Sequence, residues 1–176
     1  MRVAVVVLGA SLTALAAQFT TPVPFTAVPF TLTPIAVLFT GAVLGARLGA
    51  LSQVLYVAAG MLGLAVFSPS ATLPPGFLRV VGPTGGYLMA YPLAAFVAGW
   101  LSERGWDRRY STSFAALLVG LAIIYLGGVS WLSAAFLHSA SAALTAGLVP
   151  FVVLDVLKLT VAAMILPQAW RFVGRQ

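Results

Sequence analysis

Two residues of opposite charge, Asp155 and Lys158, stand in an apolar run that begins at Pro150. A spacing of three places both on one face of a helix. Proline suits a first helical turn. At about 1.5 Å of rise per residue, Asp155 then lies roughly 7 Å and Lys158 about 12 Å below that end. Ionisable groups inside an apolar span are costly and usually mark a solute or ion site. Together the two offer one acceptor and one donor to a polar solute. The alternative is an internal ion pair that only satisfies itself, from which a bundle gains little.

Other groups have less defined chemistry. The stretch Gly82-Pro83-Thr84-Gly85-Gly86-Tyr87 opens an apolar segment. Glycines at a helix start free backbone N–H groups for a ligand, and Tyr87 adds a ring and a hydroxyl one turn in. The same residues serve equally well as a tight loop-to-helix turn. Arg79 is the only charged residue in its proline-rich loop and suits a carboxylate or a lipid phosphate. His138 lies near Ser139 and Ser141, but no acid is placed beside it and no G-x-S-x-G turn is present, which argues against a hydrolase. One histidine and no cysteine exclude disulfides, thiolate sites and a histidine metal cluster. There is no G-x-x-x-x-G-K-[ST] loop, so ATP is not bound through a P-loop. No cofactor is expected, and the chain is not read as an enzyme.

The elements that carry these residues follow from composition. Of 176 residues, 61% are hydrophobic and 7% charged. A soluble domain has near a quarter charged. The fold class is therefore all-α, a single polytopic membrane domain over 1–176. Spans of about 20 apolar residues, divided by charges and prolines, fall at roughly 3–19, 34–47, 49–67, 84–103, 111–132 and 150–171. Val3 to Phe19 reads as a first span and not as a cleaved leader. Pro22, Pro24, Pro29 and Pro34 predict a structured loop or a broken, re-entrant segment. Arg47 and Gly49 are expected to mark a tight turn, and 133–149 reads as a short interfacial helix.

Six spans place both termini on one side. Arg2, Arg47, Arg104, Arg108, Arg109, Arg171 and Arg175 share that side, against Arg79 opposite. The inside bias of positive charge makes that side cytoplasmic. The net charge of +6 thus needs no nucleic acid. Most prolines fall near the outer face, which suggests an outward-facing mouth. Two small-residue stripes remain. Gly41, Gly45 and Gly49 read best as packing inside the bundle. Ala10 and Ala14 on the first span are a face on which another membrane protein could dock.

Four segments carry a resemblance: Pro22-Val-Pro-Phe-Thr-Ala-Val-Pro-Phe-Thr31, Thr40-Gly-Ala-Val-Leu-Gly-Ala-Arg-Leu-Gly-Ala50, Gly82-Pro-Thr-Gly-Gly-Tyr87 and Pro150-Phe-Val-Val-Leu-Asp-Val-Leu-Lys158. In this order, along nearly the whole chain, they resemble the BioY family, the biotin-specific substrate-binding (S) components of energy-coupling-factor vitamin transporters. The resemblance implies a six-helix component of a bacterial or archaeal cytoplasmic membrane, surrounded by lipid, that takes biotin from outside. Uptake would be powered by a transmembrane coupling protein and two cytoplasmic ATPase subunits. It implies that Ala10 and Ala14 dock the coupling protein. It also implies that Asp155 and Lys158 serve the biotin pocket. The residue chemistry adds Tyr87, Thr84, Gly86, Phe30, Thr31 and Arg79 as candidate substrate contacts, with Trp131 a further candidate wall. Biotin's chemistry agrees: Asp155 can accept from a ureido N–H, and Lys158 can donate to the ureido oxygen or the carboxylate. A self-sufficient carrier of another vitamin or organic acid is the competing reading, and a small membrane enzyme is the third.

Overall fold

The structure, a computed structural model, describes residues 2–70 and 73–173, with side chains described as far as Gln168. Of the arginines expected on the cytoplasmic side, Arg175 lies outside the described residues, as does the side chain of Arg171. The chain runs through α1 (Arg2–Gln18), a hairpin of β1 (Thr20–Thr21) and β2 (Phe30–Thr31), then α2 (Thr33–Leu44) and α3 (Ala46–Met61). It continues through α4 (Leu78–Val81), α5 (Gly85–Glu103), α6 (Tyr110–Leu132), α7 (Ala140–Gly147) and α8 (Val149–Val173). The described residues thus form eight α-helices where the sequence suggests six spans. The additional two, α4 and α7, have four and eight residues and are too short to cross a bilayer.

Helix α5 lies at the centre, against α2, α3 and α6, while α1 covers α3 and α2 and α8 covers α6. Its Ala94, Ala95 and Ala98 are fully buried, and these small side chains let neighbouring backbones come close. The outside is inverted relative to a soluble protein: Leu8, Leu126 and Val153 are 70%, 67% and 74% exposed. Such an apolar exterior suits lipid. Two stretches, Tyr110–Leu137 and Val149–Gln168, are long and apolar enough to span a membrane by themselves. Helix α2, with twelve residues, reaches only about 18 Å.

Two helix boundaries differ from those expected. The α2–α3 turn is at Gly45, with φ +83°, a left-handed conformation that favours glycine. Arg47 and Gly49 already belong to α3, whose first free N–H, on Ala46, donates to a Glu103 carboxylate oxygen at 2.9 Å. Helix α3 ends at Met61 rather than near 67. Gly63, with φ +95°, turns the chain so that the Phe67 ring folds back onto Tyr56, centroids 5.4 Å apart. The proline-rich segment after α1 is a structured loop over 22–29, as one of the two expectations had it, closed at its base by a two-pair antiparallel ladder, Thr20 opposite Thr31 and Thr21 opposite Phe30. Proline cannot donate to a ladder, which accounts for pairing that stops there.

Candidate functional site

The charged pair sits on α8, where it meets α6 and the hairpin. Asp155 is 6% exposed, and both its oxygens are engaged. Lys158 Nζ donates to Oδ1 at 2.8 Å, and the Tyr125 hydroxyl on α6 donates to Oδ2 at 2.7 Å. Lys158 Nζ also donates to the Thr31 carbonyl at 2.8 Å and lies 3.6 Å from the Phe30 ring centroid. Its charge is therefore met by a carboxylate, a carbonyl and a ring face. This network fastens β2 to α8.

Beside the network is a cavity of about 60 Å³. Its lining includes Asp155 and Tyr125, Phe30 and Thr31, and the three tyrosines Tyr56, Tyr87 and Tyr91. Thr84 and Arg79 also reach it. Aromatic walls with a few polar groups are the usual make-up of a small-molecule site. Outside it lie two further voids of about 260 and 250 Å³, and both also touch Arg79. Arg79 is 5% exposed, with Nη2 donating to the Ser68 carbonyl and, at 3.3 Å, to the Ser68 hydroxyl. Its Nε has no partner among the described residues. Burial lowers the guanidinium pKa, and the Tyr56 phenol opposes that shift. A buried cation with a free N–H beside three voids is suited to an anion.

Asp155, Tyr87, Thr84, Phe30, Thr31 and Arg79 thus surround one space. Lys158 does not line it, being held behind Asp155 by Thr31 and Phe30. Gly86 does not line it either; it packs α5 against Trp131 and Gly127 of α6. Trp131 donates its indole N–H to the Gly82 carbonyl at 2.9 Å and so supports the 82–87 turn from behind. Tyr87 donates to the Gly147 carbonyl at 2.8 Å, tying α5 to α7. The sequence reading missed Tyr125, Tyr91 and Tyr56. A tyrosine 30 residues from the aspartate it serves has no spacing signal. The available clue was the unusual presence of phenols in otherwise apolar spans.

The docking pair is placed unevenly. Ala10 is 8% exposed and belongs to the core, and Ala14 is half-buried, while Leu8, Leu12 and Leu15 face outward. The stripe is therefore not a uniformly outward face, since α1 turns this side towards the bundle.

Fold and cavity define a class first: a helical membrane protein with an aromatic-walled cavity beside a buried ion pair. The architecture matches the crystal structure of the S-component for biotin from an ECF-type ABC transporter, with TM-score 0.85 over 97% of this chain and 90% of that one. At 21% identity that likeness concerns the fold. The sequence model of the BioY family matches residues 1–175, and the chain belongs to that family. The biotin transporter BioY of Thermotoga maritima is 41% identical over 143 residues, 81% of each chain. A relative from Pyrococcus horikoshii is 41% identical over 164 residues, 93% of each. The biotin transporter BioY of Rhodobacter capsulatus is 36% identical over 150 residues, covering 78% of this chain and 76% of that one.

Proposed function

We propose that this chain binds biotin at the cavity beside Asp155 and is the substrate-binding subunit of an importer whose ATP hydrolysis takes place in other subunits. The observation that carries the site is a buried carboxylate and a buried guanidinium that both line one aromatic cavity. Asp155 accepts a ureido N–H, Tyr87 and Tyr91 wall the bicyclic ring, and Arg79 takes the carboxylate. Names of relatives at up to 41% identity support biotin over other vitamins. Lys158 acts behind Asp155, holding the carboxylate and the hairpin together.

A cavity of about 60 Å³ is well below the several hundred Å³ usual for a bound small molecule. Binding therefore requires the hairpin to lift or the tyrosine rings to turn. The hairpin is the candidate moving part, and its hydrogen bonds to the α7 and α8 side are Lys158 to the Thr31 carbonyl and Thr26 to the Ala146 carbonyl, each at 2.8 Å.

The arginine distribution supports six spans with both termini in the cytoplasm and the cavity towards the outer side. A reporter fused after Gln176 should be active only in the cytoplasm, and activity outside would reverse the site's orientation. A coupling protein is expected to dock on the α1 side, around Ala14 and Ala10. The function is tested by equilibrium binding of labelled biotin to the purified protein, competed with riboflavin and thiamine. Displacement by unlabelled biotin alone is expected, and displacement by either other vitamin would contradict the assignment. A self-sufficient carrier is separated from an importer subunit by whether an ATPase complex co-purifies.

A further inference from the structure

Asp155 has two oxygens, and a different element addresses each. Lys158 reaches Oδ1 from the same helix, three residues on. Tyr125 reaches Oδ2 from α6, across the bundle, at 2.7 Å. One hydrogen bond on one oxygen leaves a carboxylate free to turn about its Cβ–Cγ bond, because that torsion is soft. Two bonds on different oxygens fix its plane. Each carboxylate oxygen offers about two acceptor directions, so one remains on each after Lys158 and Tyr125 are counted. Asp155 and Tyr125 both line the cavity, whereas Lys158 does not. Of the two partners that hold the carboxylate, the one on α6 is therefore the one that shares the cavity with it.

We infer that Tyr125 is a positioning residue that fixes the Asp155 carboxylate so that a free lone pair meets a ligand N–H, and that it thereby sets selectivity for ligands carrying such a donor. This rests on the biotin reading. The two N–H groups of a cyclic urea diverge, so one carboxylate takes only one of them. A carboxylate held in one plane accepts that one well, and a freely turning one accepts it poorly. The phenol contributes only its hydroxyl to this role, so Tyr125→Phe removes the effect and keeps the ring that fills the wall.

The test compares three ligands, biotin and its two ureido N-methyl derivatives, by competition against labelled biotin on purified wild-type and Tyr125→Phe protein. Thermal unfolding without ligand is measured alongside. Tyr125→Phe is expected to weaken biotin about tenfold. It should weaken equally the derivative methylated on the nitrogen that does not face Asp155. The derivative methylated on the facing nitrogen has already lost the bond, and its affinity should change less than twofold. A merely structural hydroxyl would weaken all three ligands by one factor, with a lower unfolding temperature, and that result overturns the inference. Unchanged biotin affinity in Tyr125→Phe also overturns it while leaving the biotin reading intact. Wild-type protein that does not bind biotin overturns the biotin reading itself. Should Tyr125→Phe fail to accumulate, Tyr125→His keeps a ring and a donor of shorter reach. It should show the same ligand-selective loss, and a uniform loss counts against the role.

Discussion

Two of the buried polar clusters among the described residues differ in kind. One is Asp155, Lys158 and Tyr125 between α8 and α6. The other is Thr13 of α1 with Ser52 and Gln53 of α3, all three fully buried. In the second, Gln53 Nε2 donates to the Thr13 and Ser52 hydroxyls, each at 3.1 Å. Those hydroxyls donate in turn to the carbonyls of Gly9 and Gly49. Its members are neutral, and none of them lines the voids described beside Arg79 and Asp155. Such side-chain bonds join membrane helices at roughly 0.6–2 kcal/mol each. The first cluster carries two opposite formal charges, touches a cavity, and draws in a carbonyl of the hairpin rather than only helix backbone. Burial and polarity are common to both. Charge beside open space is what separates a site from an interhelical fastening.

The largest expected effect comes from breaking the charged cluster. Asp155→Asn or Lys158→Met leaves a buried partner uncompensated, a cost of about 3–5 kcal/mol. Much of it should fall on the ligand, with biotin bound at least tenfold more weakly, about 1.4 kcal/mol. Titration of purified protein measures this, and unchanged affinity would place the site elsewhere.

The next effect concerns the α1 side of the neutral cluster. Ala14 is half-buried, whereas Ala10 lies in the core. A bulky residue at 10 would disturb packing as well as docking, so Ala14→Trp is the cleaner change. Transport in cells should fail while biotin binding to the isolated protein persists. Full transport would remove this part of α1 from the docking surface.

A smaller effect is expected at the hairpin. Thr26→Val deletes the bond to the Ala146 carbonyl, worth about 0.5–1.5 kcal/mol. If the hairpin must lift, stopped-flow association with biotin should be about two- to threefold faster. An unchanged rate would assign the opening to the tyrosine rings instead.

Gln53→Leu should do least. The Thr13 and Ser52 hydroxyls keep their carbonyl partners, and the Gln53 carbonyl oxygen, without a partner among the described residues, is removed. Unfolding temperature should hold or rise, and biotin affinity should stay within about twofold of wild type, a difference below about 0.5 kcal/mol. A large loss of binding would show that the two clusters act as one.

The site was partly legible in the sequence, for a physical reason. A lone carboxylate and a lysine in an apolar run announce themselves by their cost, which is why Asp155 and Lys158 stood out. Tyr125 and Tyr91 did not, since an uncharged phenol on an apolar helix costs far less to bury than a charge, and its surroundings are set by packing between distant segments. Lys158 was legible as a charge but not in its direction, because its partners Phe30 and Thr31 lie on a hairpin over 120 residues earlier, Thr31 by 127 positions. That hairpin was hidden by its prolines, which indicate broken helix and pairing edge alike. Helix ends were legible where charge or proline stops them, as at Glu103. They were misplaced where a glycine turns the chain, as at Gly45 and Gly63.

The central claim is that the Asp155 cluster binds the ligand rather than only satisfying itself. Biotin affinity of the double variant Asp155→Asn/Lys158→Met, compared with each single change, tests this most directly. The double variant removes both charges, so the protein should regain the stability lost in each single variant. Biotin affinity should not return with it and should stay at least about tenfold below wild type, a gap of about 1.4 kcal/mol. A double variant that folds and binds biotin as wild type does would contradict the assignment.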